Sequence, residues 1–187
     1  MASTLKRRQR GFTLVELMVV VAILGITAAL VITNFKSNPS GSEARHIAGA
    51  MATAFRTAMN GGPVSSAVVS AGGPRARAML EIKESGEGYQ AIVWKLVESG
   101  SGFSWTEVET VPIAPEVEIL RITDTATVDL ATTEITAGGV PATKYYYANA
   151  TADPFTIYLR KRGDDSRTRY RIIGMPLSPT PQVFQDW

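Results

Sequence analysis

The sequence predicts an α+β protein in which a long N-terminal helix, membrane-spanning at first and amphipathic later, packs on an antiparallel β-sheet domain. Three observations lead there. Residues 11–32 are apolar except for Glu16 and two threonines. Residues 41–59 place Ile47, Met51, Phe55 and Met59 at intervals of four beside many alanines, which is helical spacing. From Val64 onward the period falls to two, in short runs bounded by Gly, Pro, Ser and Asp, the pattern of half-buried strands.

The first run holds about 21 residues from Phe12, and at about 1.5 Å of rise each it reaches about 30 Å, the thickness of a bilayer's hydrocarbon core. Its β-branched residues are no obstacle, because in lipid a helix is the one single-segment structure that satisfies every backbone N–H and C=O. Ahead of it stand Lys6, Arg7, Arg8 and Arg10, with no acidic residue from Met1 to Gly11. The positive-inside rule keeps that end cytoplasmic and places the chain beyond residue 34 on the far side. A secretory signal has an apolar core of about 7–15 residues ending at a small-residue cleavage site, whereas this core is longer and carries a carboxylate near its start. An acid at the centre of a membrane helix costs about 2.5–3.5 kcal/mol. Glu16 therefore either reaches the headgroups, being about 6 Å along the helix from Phe12, or has a cationic partner.

Gly11-Phe12-Thr13-Leu14-Val15-Glu16, behind a short basic leader and ahead of an apolar helix, resembles the class III signal of type IV pilins and type II secretion pseudopilins. The resemblance implies a type IV pilin-like fold, cleavage between Gly11 and Phe12 by the prepilin peptidase, and N-methylation of Phe12. It also makes Phe12 and Glu16 the assembly residues. Cleavage exposes an α-amino group with a pKa of about 7.7–8.0 before methylation, so one subunit carries a positive end and a buried carboxylate. The Phe12 amine of an incoming subunit can neutralise Glu16 of a neighbour and favour one axial offset. Register is the gain more than net stability, since a buried pair must first overcome its desolvation. Gly25 matches the family's glycine in the apolar helix, where extracted subunits loosen, and Thr33 stands where a proline is common. The implied division is leader 1–11, transmembrane and assembly helix 12–33, kink and amphipathic helix 34–62, and periplasmic β-rich domain 63–187. Implied partners are other minor and major pilins or pseudopilins, the prepilin peptidase, the inner-membrane assembly platform and the membrane. No cofactor is implied.

The 187 residues are 45% hydrophobic, enough for one domain core plus an anchor. Without the four basic leader residues, fifteen basic side chains face seventeen acidic ones, so the whole-chain excess of +2 is no pointer to nucleic acid. The absence of cysteine excludes a disulfide staple in an extracytoplasmic chain, unlike many major pilins, whose C-terminal loop is closed by one.

Past the apolar run, residues 33–41 turn polar and Pro39 biases Asn38 away from helix, so a kink or short break is expected. Ser40 and Glu43 have capping-box spacing. The next helix is read over 41–59, ended by Gly61-Gly62-Pro63, with its apolar stripe lying on a sheet. Strands are expected at 77–83, 89–97, 103–111, 117–122, 144–148, 155–161 and 169–173, the first two joined as a hairpin over 84–88. Residues 123–141 read as a loop with room for one short strand, and the prolines of 176–181 as a rigid extended segment. A helix that passes quickly into strands, in a chain that ends in strand-like runs, is similar to the GspH/FimT group of minor pseudopilins and FimU-like minor pilins.

Enzymatic signals are lacking. His46 beside Arg45 reads as a solvated side chain, and no cysteine or second histidine exists to build a zinc site or a Cys-His pair. Asp124, Asp129, Asp164 and Asp165 lack EF-hand spacing. No catalytic, cofactor-binding or metal residue is assigned. The cluster Arg160, Lys161, Arg162, Arg167, Arg169 and Arg171, with Tyr158 and Tyr170, has two readings. One is a solvated strand face. The other is DNA contact, as in some FimT-like minor pilins, with Arg167, Arg169 and Arg171 alternating on one side of a strand to meet phosphates. The function expected is a non-enzymatic minor subunit that initiates or caps a type IV filament, in type IVa pilus biogenesis or type II secretion. The alternatives are a DNA-binding competence pilin and a membrane-anchored periplasmic domain that never polymerises.

Overall fold

A computed structural model of the chain describes residues 14–34, 39–86, 88–100, 102–124, 142–163 and 169–185. The chain divides between Ser37 and Asn38 into two units. The first contains α1 (Leu14–Asn34), a helix of 21 residues with Glu16 in its first turn. Its side chains are described from Leu14 to Thr27, and all of them are exposed. That stretch is about 21 Å long. Among the described residues no helix is long and apolar enough to cross a membrane, and the passage expected of residues 12–33 extends beyond the side chains described. Residues 35–38, where the kink was expected, lie outside the described residues.

The second unit opens with α2 (Pro39–Asn60). Pro39 takes the first helical position, where its fixed φ suits the helix and its missing N–H has no bond to lose. Ser40 consequently lies inside the helix, its hydroxyl buried and without a hydrogen-bond partner. The expected capping by Ser40 does not form. Glu43 instead lies 3.6 Å from the exposed His46, one turn on. The buried face is Ala44, Ile47, Ala50, Met51, Ala54, Phe55 and Ala58, while Met59, expected in the stripe, is 49% exposed. At 3.6 residues per turn, Met59 is displaced by about 120° around the axis from Ile47 and Ala58 by only about 20°. Gly61 N–H closes the helix on the carbonyls of Thr57 and Ala58 at 3.2 and 3.3 Å, and Gly62, at φ +67°, turns the chain out of it.

A short helix, α3 (Ser66–Ser70), occupies a stretch that the sequence assigned to strand periodicity. The Ser65 hydroxyl accepts from Val68 N–H at 3.4 Å, and Val68 is fully buried. Two adjacent valines favour a strand by propensity. Here capping and burial override that preference. Arg77 ties the segment down, donating to the carbonyls of Gly62 at 2.7 Å and Pro63 at 2.5 Å and pairing with Glu98 at 2.5 Å. Glu98 also accepts Ser65 N–H at 3.2 and 3.3 Å. Hydrogen bonding from Ser65, with the Arg77 guanidinium behind it, holds the Glu98 carboxyl below the usual carboxylate range against the opposing effect of burial.

The strands form two antiparallel sheets. The first contains β1 (Ala78–Ser85), β2 (Gly88–Ser99), β3 (Gly102–Ile113), β5 (Ala142–Tyr147) and β6 (Thr151–Ala152), in the order β3-β2-β1-β5-β6. The second contains β4 (Val117–Thr123), β7 (Phe155–Lys161), β8 (Tyr170–Gly174) and β9 (Gln182–Gln185), in the order β4-β7-β8-β9. All seven expected strands are present. The β1–β2 hairpin is tighter than expected: Ser85 pairs with Gly88, and Gly86 adopts φ +60°. Two strands were not foreseen. β6 has two residues, and β9 comes after the proline-rich stretch to pair with β8 from Ile173–Gln182 to Tyr170–Gln185. Residues 125–141, read as a loop, lie outside the described residues.

Both sheets receive the buried face of α2, so one helix unites them. Phe55 meets Tyr146 of β5 edge-on at 6.4 Å, with Leu80, Val93, Ile157, Leu159 and Ile172 in the same core. Glycines set the approach at two points. A Cβ on Gly41 would lie 2.8 Å from the Tyr170 hydroxyl oxygen, and one on Gly174 would lie 2.6 Å from Met51 Cε.

Candidate functional site

The assembly residues named from the sequence lie at and before α1. Gly11 and Phe12 fall outside the described residues. Glu16 is in the first turn of α1, where a carboxylate complements the positive end of the helix dipole. Around it Leu14, Val15, Leu17, Met18, Val19 and Val20 are all exposed, from 48% to 78%. A helix that is apolar on every side has no face suited to water and belongs in lipid or among other helices. The Thr27 hydroxyl donates back to the carbonyls of Ile23 at 2.9 Å and Leu24 at 3.0 Å, so the polar group of that turn is satisfied within the helix. A Cβ at Gly25 would meet nothing within 4 Å, and α1 continues through Thr33 to Asn34.

The arginine cluster is sorted by the second sheet. Arg169 and Arg171 are two residues apart and share one face, while Tyr170 and Ile172 between and after them enter the core. Arg167 lies outside the described residues. Arg160 is ion-paired with Glu118 across the β4–β7 ladder. The pairing places Arg121, Tyr158, Arg171 and Phe184 in one row across β4, β7, β8 and β9. In that row Arg121 stacks 4.3 Å from the Tyr158 ring centre and Arg171 lies 4.9 Å from that of Phe184, both within cation–π range. The Arg171 Nε is buried without a hydrogen-bond partner. The sequence reading missed Arg121 and Phe184. They are distant in sequence from Arg171, and strand pairing alone brings them beside it.

Among the described residues no group of three His, Cys, Asp or Glu is placed to hold a metal, and His46 faces outward on α2. What the chain presents is an apolar helix with one acid near its start, and a compact α+β body with a row of alternating guanidinium and aromatic groups.

Comparison with known proteins places these features among others. Residues 6–32 match the Prokaryotic N-terminal methylation motif. The chain is 32% identical over 127 residues to the Fimbrial protein EcpC of Eikenella corrodens, covering 54% of this chain and 83% of that protein. It is 59% identical over 34 residues to the Type II secretion system core protein G of Dickeya chrysanthemi, or 18% of this chain and 22% of that one. It is 41% identical over 58 residues to the Type IV major fimbrial protein FimA of Dichelobacter nodosus, or 29% and 37% of the two chains. The chain thus spans about a fifth of the length of the secretion protein and more than four fifths of EcpC. No solved structure matches it.

Proposed function

The chain belongs to the type IV pilin and type II secretion pseudopilin family, and from that premise we propose that it is a minor subunit of the GspH/FimT kind, initiating or capping a filament. The observation that supports a filament subunit is α1, with every described side chain exposed and Glu16 in the first turn. Such a helix is stored in the inner membrane with its basic leader cytoplasmic and its β-rich body periplasmic. The prepilin peptidase cuts between Gly11 and Phe12 and methylates Phe12. The new cation meets Glu16 of a neighbouring pilin or pseudopilin, and the assembly platform draws the helix into the bundle. Its role is structural and non-enzymatic, in type IVa pilus biogenesis or type II secretion.

Processing is directly measurable. Mass spectrometry of membrane-extracted protein from cells with an active prepilin peptidase is expected to show a chain beginning at N-methyl-Phe12. A chain still beginning at Met1 or Ala2 counts against the assignment of Gly11 and Phe12.

A second reading, DNA capture, is favoured by Arg121 standing in register with Arg171 on the face that Arg169 shares. Guanidinium groups gathered on one sheet face suit phosphates, and binding through them weakens steeply with salt. The expected result under this reading is salt-dependent DNA binding by the purified full chain, reduced at least tenfold in Arg169→Gln with Arg171→Gln. Binding that is absent, or unchanged in that variant, eliminates it.

A further inference from the structure

A cleft of about 340 Å³ opens between the α3 segment and the end of β5, lined by Pro63, Val64, Val69, Arg75, Tyr147, Ala148 and Asn149. No residue of the arginine row lines it. We propose that this cleft binds a small carboxylate carried on an apolar or aromatic body. The volume falls at the lower end of the range for small-molecule sites, which are mostly apolar with a few placed polar groups.

Its polar groups point to an anion. Arg77, two residues from Arg75, is committed to two carbonyls and Glu98. Arg75 is exposed and has no hydrogen-bond or ion-pair partner among the described residues. The Oδ1 of Asn149 accepts from the Thr151 hydroxyl at 2.6 Å, which leaves its amide N–H groups to donate. The nearby acid, Asp153, is engaged with the Tyr145 N–H and the Tyr147 hydroxyl, both at 3.3 Å. The lining therefore offers one guanidinium and one amide donor, groups that donate to a carboxylate. Pro63, Val64, Val69 and Ala148, with the Tyr147 ring, supply the apolar wall, which suits an apolar body better than a hydroxyl-rich one.

The walls are fixed before any ligand arrives. The Arg77–Glu98–Ser65 network pins one side, and Gly73 packs so tightly that a Cβ there would lie 2.5 Å from Val68 Cγ1. On the other side Ala150 holds φ +61° without being glycine, a left-handed conformation that persists only where surrounding structure imposes it. Preformed walls spare a ligand the cost of ordering them.

The test uses full-length protein in nanodiscs, with empty nanodiscs as control, and ligand-observed NMR with phenylacetate as probe. Being read on the unassembled subunit, it stands or falls separately from filament formation. The expected result is saturable phenylacetate binding, weakened at least tenfold in Arg75→Gln and in Val64→Trp, which fills the cleft, with phenylacetamide at least tenfold weaker than phenylacetate. Arg75→Gln removes an exposed side chain that has no partner among the described residues, so loss of folding does not confuse the result. Non-saturable binding, equal binding of phenylacetamide, or unchanged affinity in both variants overturns the proposal. So does tighter binding of glucuronate than of phenylacetate, which would replace the apolar body by a sugar.

Discussion

Glu16→Gln is expected to leave the subunit in the membrane and nearly abolish its entry into filaments. Glutamine keeps the size and hydrogen-bonding reach of the side chain and removes only its charge. A neighbour's Phe12 amine would then be buried without a counter-charge, and breaking one side of a buried pair costs about 3–5 kcal/mol. Since each 1.4 kcal/mol is a factor of ten, incorporation is expected to fall by about two orders of magnitude or more. Glu16→Lys is expected to do at least as much, because it sets two cations together. The measurement is the ratio of variant in sheared filaments to variant in membranes, with wild type as reference. The membrane pool should be unchanged, because the apolar run is intact in both variants. Equal incorporation of wild type and both variants would sink the electrostatic account, whereas absence of the wild type itself from filaments would leave a membrane-anchored domain that does not polymerise.

Phe55→Ala is expected to remove about 3–5 kcal/mol of folding stability, the cost of truncating a buried aromatic, out of a typical total of about 5–15 kcal/mol. Phe55 is 3% exposed and meets Tyr146 edge-on. Tyr146 is itself buried, which pushes its phenol well above the ordinary range. Met59→Ala, one turn further along α2, is expected to change stability by no more than about 0.5 kcal/mol, as for an exposed position. Urea unfolding of the full chain, monitored by tryptophan fluorescence, reads both. The midpoint should move strongly for Phe55→Ala with the slope retained. Similar losses for the two variants would restore a stripe of period four and contradict the observed burial.

Much of the body was legible because its signals are local. Alternation marked β1, β2, β3, β4, β5, β7 and β8, and the glycines at 61 and 62 marked the end of α2. The failures came where local preference and packing disagree. Ser40 and Glu43 have capping-box spacing, but Pro39 already occupies the first helical position, so Ser40 falls inside the turn. Val68 and Val69 favour strand, yet the Ser65 cap and the burial of Val68 produce a helix. β9 has only four residues behind a run of prolines, and its strand character comes from the partner β8 supplies.

By itself the sequence determined the chemistry of the N-terminal segment: a basic leader, a glycine–phenylalanine junction and one acid in an apolar run. These features depend on composition and order along one short stretch of chain, where neighbours in sequence carry the pattern. Only the tertiary structure decided how the strands divide into two sheets under α2, which arginines meet which rings, and that Arg75 has no partner among the described residues. Those facts depend on strand pairing between residues tens of positions apart. Such pairing is set by the combined burial of α2 against both sheets, which no local window contains.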